Sequence, residues 1–495
     1  MKQFTKKLSA FFLTTKGFVA AVTLILLFAT VSRFYRLSLP PVYYFDEVYH
    51  ALTAKLIARN DVRAYEWWNE PVEPNTAVDW LHPPLAKYTQ ALSMRVFGEN
   101  SFGWRFSSAV FGVLVVAMTA LLTDVYFHKR SLTLLAAFLV SLDGLLLSQS
   151  RIAMNDIHVT FFILAAVTTY GVYRNRLERK IPGFVWLLAT GILCGLAMGS
   201  KWSGIYVLVA VWITESMRLL LERTKQKRAR FLHLLRMCIF LGIIPILLYI
   251  GSYTHMFLQG KSLVCTGNQV EQGKCYCSQD SSLWVKALST ALPSRKAQFE
   301  ALEARGGCKR LISHFSELQS QIWWYQTNLK ATHPYQSKPW QWIFDIRPVW
   351  QYVDYSQSSQ GIISNIYDVG NPLLFWIGLL SVAILTVLFL LRKKKIFSWQ
   401  IGFLLLVYCI VWAPWTFSPR IMFFYHYAPA VPTMVVLTSF GILSLWNKYR
   451  ELRLLLVLLV LCVAATCLIL YPLNTSLPMH QSYFDAIFAL FPSWK

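Results

Sequence analysis

Asp46 and Glu47 stand side by side in the run Tyr44-Phe45-Asp46-Glu47-Val48-Tyr49-His50. A carboxylate is the side chain that takes a proton from a hydroxyl or amine nucleophile, so this pair is a candidate general base. The same residues would also suit a solvated loop start or the first turn of a helix, where acids favour the macrodipole. Trp80-Leu81-His82-Pro83-Pro84-Leu85-Ala86-Lys87 follows. Two prolines restrict the backbone, and Pro84 can open a helix, which places His82 before it and Lys87 one turn inside. A cation beside helix N-terminal amides suits a phosphate; a rigid turn with its lysine reaching to the interface has the same composition. Further along come Arg105 in Gly103-Trp104-Arg105-Phe106, Arg151 in Arg151-Ile152-Ala153-Met154-Asn155-Asp156, Lys201 in Gly199-Ser200-Lys201-Trp202-Ser203, and Arg420 beside Tyr425-His426-Tyr427. The guanidinium fork matches phosphate oxygens. Each cation alone reads more readily as an interfacial anchor. Together, brought to one place, they would make an anion site.

What positions them is a set of membrane helices. Of the 495 residues, 56% are hydrophobic, above the roughly 45–50% of soluble domains. The apolar runs are continuous rather than alternating, and many reach the roughly 20 residues of a helical crossing. Spans are expected at about 17–34, 103–126, 131–148, 155–173, 182–199, 204–221, 236–257, 371–391, 398–416, 424–446 and 451–471, eleven in all. The first reads as a retained anchor entering from the cytoplasm, because no small-residue cleavage site follows it.

The charges test this arrangement. The net charge is +23, from 47 Lys and Arg against 24 Asp and Glu. The excess falls in alternate short loops: His128-Lys129-Arg130, Arg174 to Lys180, Glu222 to Arg236, Arg392 to Lys395, and Asn447 to Arg453. That is the positive-inside pattern. It implies N-in, C-out, and it accounts for the charge without nucleic acid. The candidate residues then fall outside, on a first outside loop at 35–102, a second at 258–370, and the outer helix ends. Loops this long are usually functional. The second loop carries Trp323-Trp324-Tyr325-Gln326, His333-Pro334-Tyr335 and Pro339-Trp340, aromatics suited to stacking on sugars or to an interfacial belt.

Cys265, Cys275, Cys277 and Cys308 all lie in the second loop. Four cysteines outside favour disulfides. A four-thiolate zinc site is the alternative, but Cys275-Tyr276-Cys277 is closer than its usual spacing. The chain carries no nucleotide loop of Walker spacing and no H-E-x-x-H.

Phe45-Asp46-Glu47-Val48, His82 to Lys87, the run Gly195-Leu196-Ala197-Met198-Gly199-Ser200-Lys201-Trp202-Ser203-Gly204, His333-Pro334-Tyr335 and Tyr425-His426-Tyr427 occur in the order and topology of the protein O-mannosyltransferase family, and over nearly its whole length the chain resembles that family. The run from Gly195 to Gly204 is the most specific part. The resemblance implies an all-α GT-C glycosyltransferase fold in a single membrane domain, 1–495. It implies transfer of mannose, with inversion, from polyprenyl-phosphate mannose to Ser or Thr hydroxyls of exported proteins. Asp46 would be the general base, Glu47 would help place acceptor or base, and Arg105 would face the donor phosphate. His82, Lys87, Arg151, Arg420 and His426 are further candidates for that pocket. No metal and no cofactor are expected.

Two features depart from the pattern. Ala86 stands where the motif commonly has Gly, and the four loop cysteines are not part of it. The second loop is too short for the β-trefoil MIR domain of eukaryotic members. With no C-terminal retention signal, this points to a bacterial plasma-membrane protein, with membrane lipids and the secretion machinery as partners. The competing readings are a GT-C transferase that glycosylates a lipid or glycan and, from another class, a transporter. Transporters place ionisable groups near the midplane and often carry repeats, neither of which is visible here.

Overall fold

The computed structural model describes residues 14–65, 71–221, 227–258 and 309–494. The four cysteines of the second loop lie outside these residues. Among the described residues, nine helices are long and apolar enough to cross a membrane, and two shorter apolar helices accompany them.

The first is α1, Thr15–Phe34, whose N-terminus is capped by the Thr14 hydroxyl. Two short helices of the first loop follow, α2, Glu47–Ala58, and α3, Leu85–Phe97. They pack side by side on the end of α4, Ser101–Phe127. The Asn100 side chain caps α4 by accepting from Gly103 N at 3.0 Å.

The apolar run expected as one span at 131–148 is in fact two helices, α5, Arg130–Ser141, and α6, Gly144–Gln149. Asp143 makes the break: its carboxylate accepts from Leu146 N at 2.8 Å and so starts a new helix. The carbonyl released at Leu142 accepts from Asn371 Nδ2 at 3.3 Å, and the same amide reaches Val463 O at 2.9 Å. A break at membrane depth is tolerated when neighbouring helices satisfy the freed groups in this way.

Then come α7, Asp156–Glu178, α8, Phe184–Ser200, α9, Ile205–Leu221, and α10, Lys227–Gly251. Helix α10 contains a π turn at Ile239–Ile243. A Cβ on Gly191 of α8 would meet Phe240 O at 1.8 Å, so only glycine lets the two backbones approach there.

Past the second loop's helix α11, Lys309–Asn328, strands β1, Val349–Asp354, and β2, Ile362–Asp368, form an antiparallel hairpin. Four more long helices complete the bundle: α12, Pro372–Leu390, α13, Trp399–Phe417, α14, Phe424–Lys448, and α15, Arg453–Thr475. The chain then returns to the hairpin. Strand β3, Met479–His480, pairs antiparallel with β2, and α16, Gln481–Leu490, covers it. The main core lies among α4, α5, α7 and α14, while a second apolar cluster ties α2 and α3 to α11.

Candidate active site

A cavity of about 980 Å³ lies where α2, the loop before α3, the turn between α8 and α9, α11 and the Ser418–Tyr425 segment meet. It receives Asp46, His50, Asp79, His82, Asp156, Lys201, Arg420, Tyr425 and His426. Its aromatic wall is Trp80, Trp202, Trp323, Tyr325, Trp415 and Phe423.

Asp46 is presented by the start of α2, after Phe45 turns the chain through a left-handed conformation, φ 49°. The Tyr425 hydroxyl donates to Asp46 Oδ2 at 3.5 Å. Burial pushes the carboxyl above the ordinary carboxylate range; nearby Asp79 and Asp156 push the same way, against the charges of His50 and Lys201.

Glu47, the adjacent acid, points elsewhere. Its side chain is fully buried and accepts from Arg105 Nε at 2.8 Å, Arg105 Nη2 at 2.8 Å and Ala153 N at 3.0 Å. It does not line the cavity.

Arg105, expected to face a phosphate, is also fully buried. Beyond Glu47 it donates to Leu37 O at 3.2 Å, Pro40 O at 2.7 Å and Val42 O at 2.9 Å. A guanidinium has five N–H donors, and all five are used. The pair clamps the incoming loop to α4.

Arg151 is placed similarly. Its guanidinium donates to the carbonyls of Ser32, Arg33, Tyr35 and Arg36, at 3.4, 2.8, 2.9 and 3.3 Å. It therefore caps the C-terminal end of α1, where a cation offsets both the orphan carbonyls and the dipole.

Lys87, on α3, is buried against Asp79: Nζ lies 2.7 Å from Asp79 Oδ2 and 3.3 Å from His82 O. His82 does line the cavity, with Nδ1 3.1 Å from Asp79 Oδ1. Burial lowers its pKa to about 4 against the pull of Asp79, which leaves it neutral near pH 7. His426 lines the cavity too, stacked between Trp342 and Tyr425, and its Nδ1–H donates to Phe423 O at 3.1 Å. Of the six cations and imidazoles expected at a phosphate, the cavity thus receives His82, Arg420 and His426. Arg105, Lys87 and Arg151 are spent on internal partners.

The cations that do reach the cavity are Lys201 and Arg420. Lys201 sits in the tight turn closing α8. There a Cβ on Gly204 would lie 2.2 Å from Ala197 C, so glycine is needed for the turn to fold back. Its Nζ donates to Asp156 Oδ1 at 2.7 Å and lies 5.4 Å over the Tyr425 ring. Arg420 is half-buried, donating through Nη1 to Gln326 Oε1 of α11 and through Nε to Ile421 O at 3.2 Å.

Asp79 and Asp156 were not singled out as functional from sequence. Asp79 is a hub. It meets His50 Nδ1 at 2.9 Å, His82 and Lys87, and Leu81 N donates to its Oδ1 at 3.0 Å. Although burial works against it, Lys87, His82 and His50 hold its pKa well below the usual range. Its place three residues before His82 was the available signal. His50, Asp79 and His82 bring ligand atoms within 4.8 Å of one another, a set that could hold a metal ion. The Lys87 ammonium already supplies a cation to the same Asp79 oxygen.

A bundle of long apolar helices with a charged cavity roofed by loop helices is a GT-C-like membrane fold. The yeast protein O-mannosyltransferase Pmt1–Pmt2 complex bound to the sugar donor aligns over 99% of this chain and 94% of its own, with TM-score 0.72 and 16% identity. An Archaeoglobus fulgidus oligosaccharyltransferase aligns over 96% and 58%, with TM-score 0.55 and 15% identity.

Residues 23–259 match the dolichyl-phosphate-mannose-protein mannosyltransferase family, and residues 311–494 match the C-terminal four-helix region of protein O-mannosyltransferases. The chain belongs to the protein O-mannosyltransferase family. The polyprenol-phosphate-mannose–protein mannosyltransferase of Mycobacterium tuberculosis is 26% identical over 95% of this chain and 91% of its own length. That of Corynebacterium glutamicum is 25% identical over 86% and 82%.

Proposed function

We propose that this chain is a polyprenyl-phosphate-mannose–protein mannosyltransferase that glycosylates Ser or Thr hydroxyls of exported proteins with inversion. The observation that carries this reading is the pairing of one carboxylate, Asp46, with two cations, Lys201 and Arg420, across a cavity whose far wall is built by membrane helices. Ile205 and Tyr206 of α9 and Pro414, Trp415 and Phe417 of α13 form part of that wall. A donor phosphate beside the cations keeps its lipid tail against these apolar residues.

A Ser or Thr hydroxyl is a poor nucleophile while it keeps its proton. Asp46 accepts that proton as oxygen bonds to C1 of the sugar, a contribution of about 10²–10⁴ in rate. The C1–O bond to phosphate breaks with its electron pair on the phosphate, where Lys201 and Arg420 offset the charge. Glu47 and Arg105 are positioning residues: they hold the loop that aims Asp46. The aromatic wall, Trp80, Tyr325 and Trp415 among it, offers faces for the sugar and peptide.

The basic loops support an N-in, C-out arrangement of eleven crossings, with the short helices α5 and α8 among them. The cavity then opens on the extracytoplasmic face of a bacterial plasma membrane, where secreted chains emerge.

Membranes containing the wild type, given radiolabelled polyprenyl-phosphate mannose and a Ser/Thr-rich peptide, are expected to label the peptide, and Asp46→Asn at matched expression is expected not to. Labelling of a lipid or glycan in place of peptide would move the acceptor to the competing class.

A further inference from the structure

Gln326 lines the cavity but takes no part in the transfer chemistry. It stands in the last turn of α11, four residues beyond Ile322 and eight beyond Leu318. Those two are buried in the apolar cluster with Leu52 and Leu56 of α2, and Gln319 Oε1 accepts from the Tyr249 hydroxyl of α10. The spacing keeps one face of the helix turned inward. The body of α11 is thus fixed while its end, from Trp323 to Thr327, borders the cavity.

A seam joins this end to the segment that carries Arg420. Ser337 N donates to Met422 O at 2.8 Å, and the His333 ring meets the Phe423 ring edge-on at 5.2 Å. A third link runs from Arg420 Nη1 to Gln326 Oε1. The first two rest on backbone and ring packing. The third joins two side chains that both line the cavity, and a donor phosphate competes for one of them. A guanidinium bonds a charged acceptor more strongly than a neutral carboxamide, so a phosphate can take Arg420 from Gln326. What is left is a carboxamide with two N–H donors and an acceptor oxygen. It complements the C=O and N–H of a peptide unit and reads no particular side chain. The same wall leads to the base: Phe423 meets the Phe45 ring edge-on at 6.2 Å, and the Tyr425 hydroxyl donates to Asp46.

We propose that Gln326 binds the main chain of the acceptor, and that Arg420 masks it until the donor phosphate draws the guanidinium away. The inference rests on the proposed function, with Arg420 at the phosphate. Donor binding then favours acceptor binding, and linkage makes the reverse effect equal in size. A neutral amide suits this exchange, because a carboxylate in its place would hold Arg420 too firmly to release it.

Equilibrium binding to the full chain in lipid nanodiscs tests the mask. The probes are a fluorescent Ser/Thr-rich peptide and polyprenyl phosphate, which carries the phosphate but no sugar to transfer. In the wild type, saturating polyprenyl phosphate is expected to tighten peptide binding about tenfold, and saturating peptide to tighten lipid binding by the same factor. Gln326→Ala is expected to abolish both effects and to leave the peptide at its weaker affinity. It is expected to bind the lipid at least as well as the wild type, since Arg420 is already released. Gln326→Glu is expected to weaken lipid binding. A purely structural defect in α11 would weaken the lipid in both variants, and that result would overturn the mask. So would a wild type that mannosylates the peptide yet binds it indifferently to polyprenyl phosphate. A wild type that neither binds nor mannosylates the peptide would instead overturn the proposed function, and the mask with it.

Discussion

Arg105 and Arg151, and Lys201 and Arg420, all stand at ends of membrane helices. The first two are turned inward: all five donors of Arg105 go to Glu47 and three carbonyls, and Arg151 donates through Nη1 and Nη2 to four carbonyls at the end of α1. The other two border open space: Lys201 donates to Asp156, Arg420 to Gln326 and Ile421 O, and both also line the cavity. The difference is one of hydrogen-bond valence. A cation whose donors turn to carbonyls inside the protein holds backbone in place, and one that borders open space with capacity left over can meet a ligand. The two adjacent acids divide in the same way. Glu47 belongs to the closed layer and Asp46 to the open one.

The largest effect should come from the open layer. Asp46→Asn is expected to cut peptide mannosylation by about 10²–10⁴-fold, with thermal stability maintained or raised. A loss of folded protein instead would move Asp46 into the closed layer.

Breaking the closed layer should show first in stability. Arg105→Ala strands the Glu47 carboxylate in a dry site, at a cost of about 3–5 kcal/mol. Replacing Glu47 by Gln in the same chain should recover part of that loss. Thermal unfolding of both variants reads this out; a raised donor KM with unchanged melting would return Arg105 to the phosphate.

Arg420→Ala should do the reverse, raising donor KM about tenfold, worth about 1.4 kcal/mol, with the melting temperature intact.

The smallest effect concerns pH. The Asp46 pKa is raised in the fold, so the base is lost to protonation sooner as pH falls. The acid limb of kcat/KM should stand above the ordinary carboxylate range. The stability sign is opposite to that of a salt-bridged acid. The ionised group costs stability above its folded pKa, and the cost fades as pH falls through that value toward the unfolded one. Asp46→Asn should therefore stabilise the protein at pH 7 and make little difference in acid. Melting curves at both pH values check this.

The helices were legible because a bilayer crossing needs a long apolar run, and every expected span contains a helix. The break at Asp143 was not, because it depends on Asn371 arriving from more than two hundred residues away to meet Leu142. The cavity's outline was legible through Asp46, His82, Arg420 and His426. Which arginines face it was not. A helix end written as Trp104-Arg105 reads the same whether the side chain turns outward or folds back on carbonyls of a neighbouring loop. Asp79 was missed because it has no periodic setting and gains meaning only once α2 and α3 bring His50 and Lys87 to it.

The strand seam also has a consequence for topology. Residues 362 and 363 pair with 480 and 479, so β2 and β3 share one face of the membrane, and the crossings between them must be even in number. Four long apolar helices lie in that interval, which satisfies the parity. The carboxyl end of the described chain is thereby riveted to the second loop, and an epitope fused after residue 495 should report the face on which β1 and β2 lie. An added or deleted crossing between α12 and α15 would tear the seam before it disturbed any single helix.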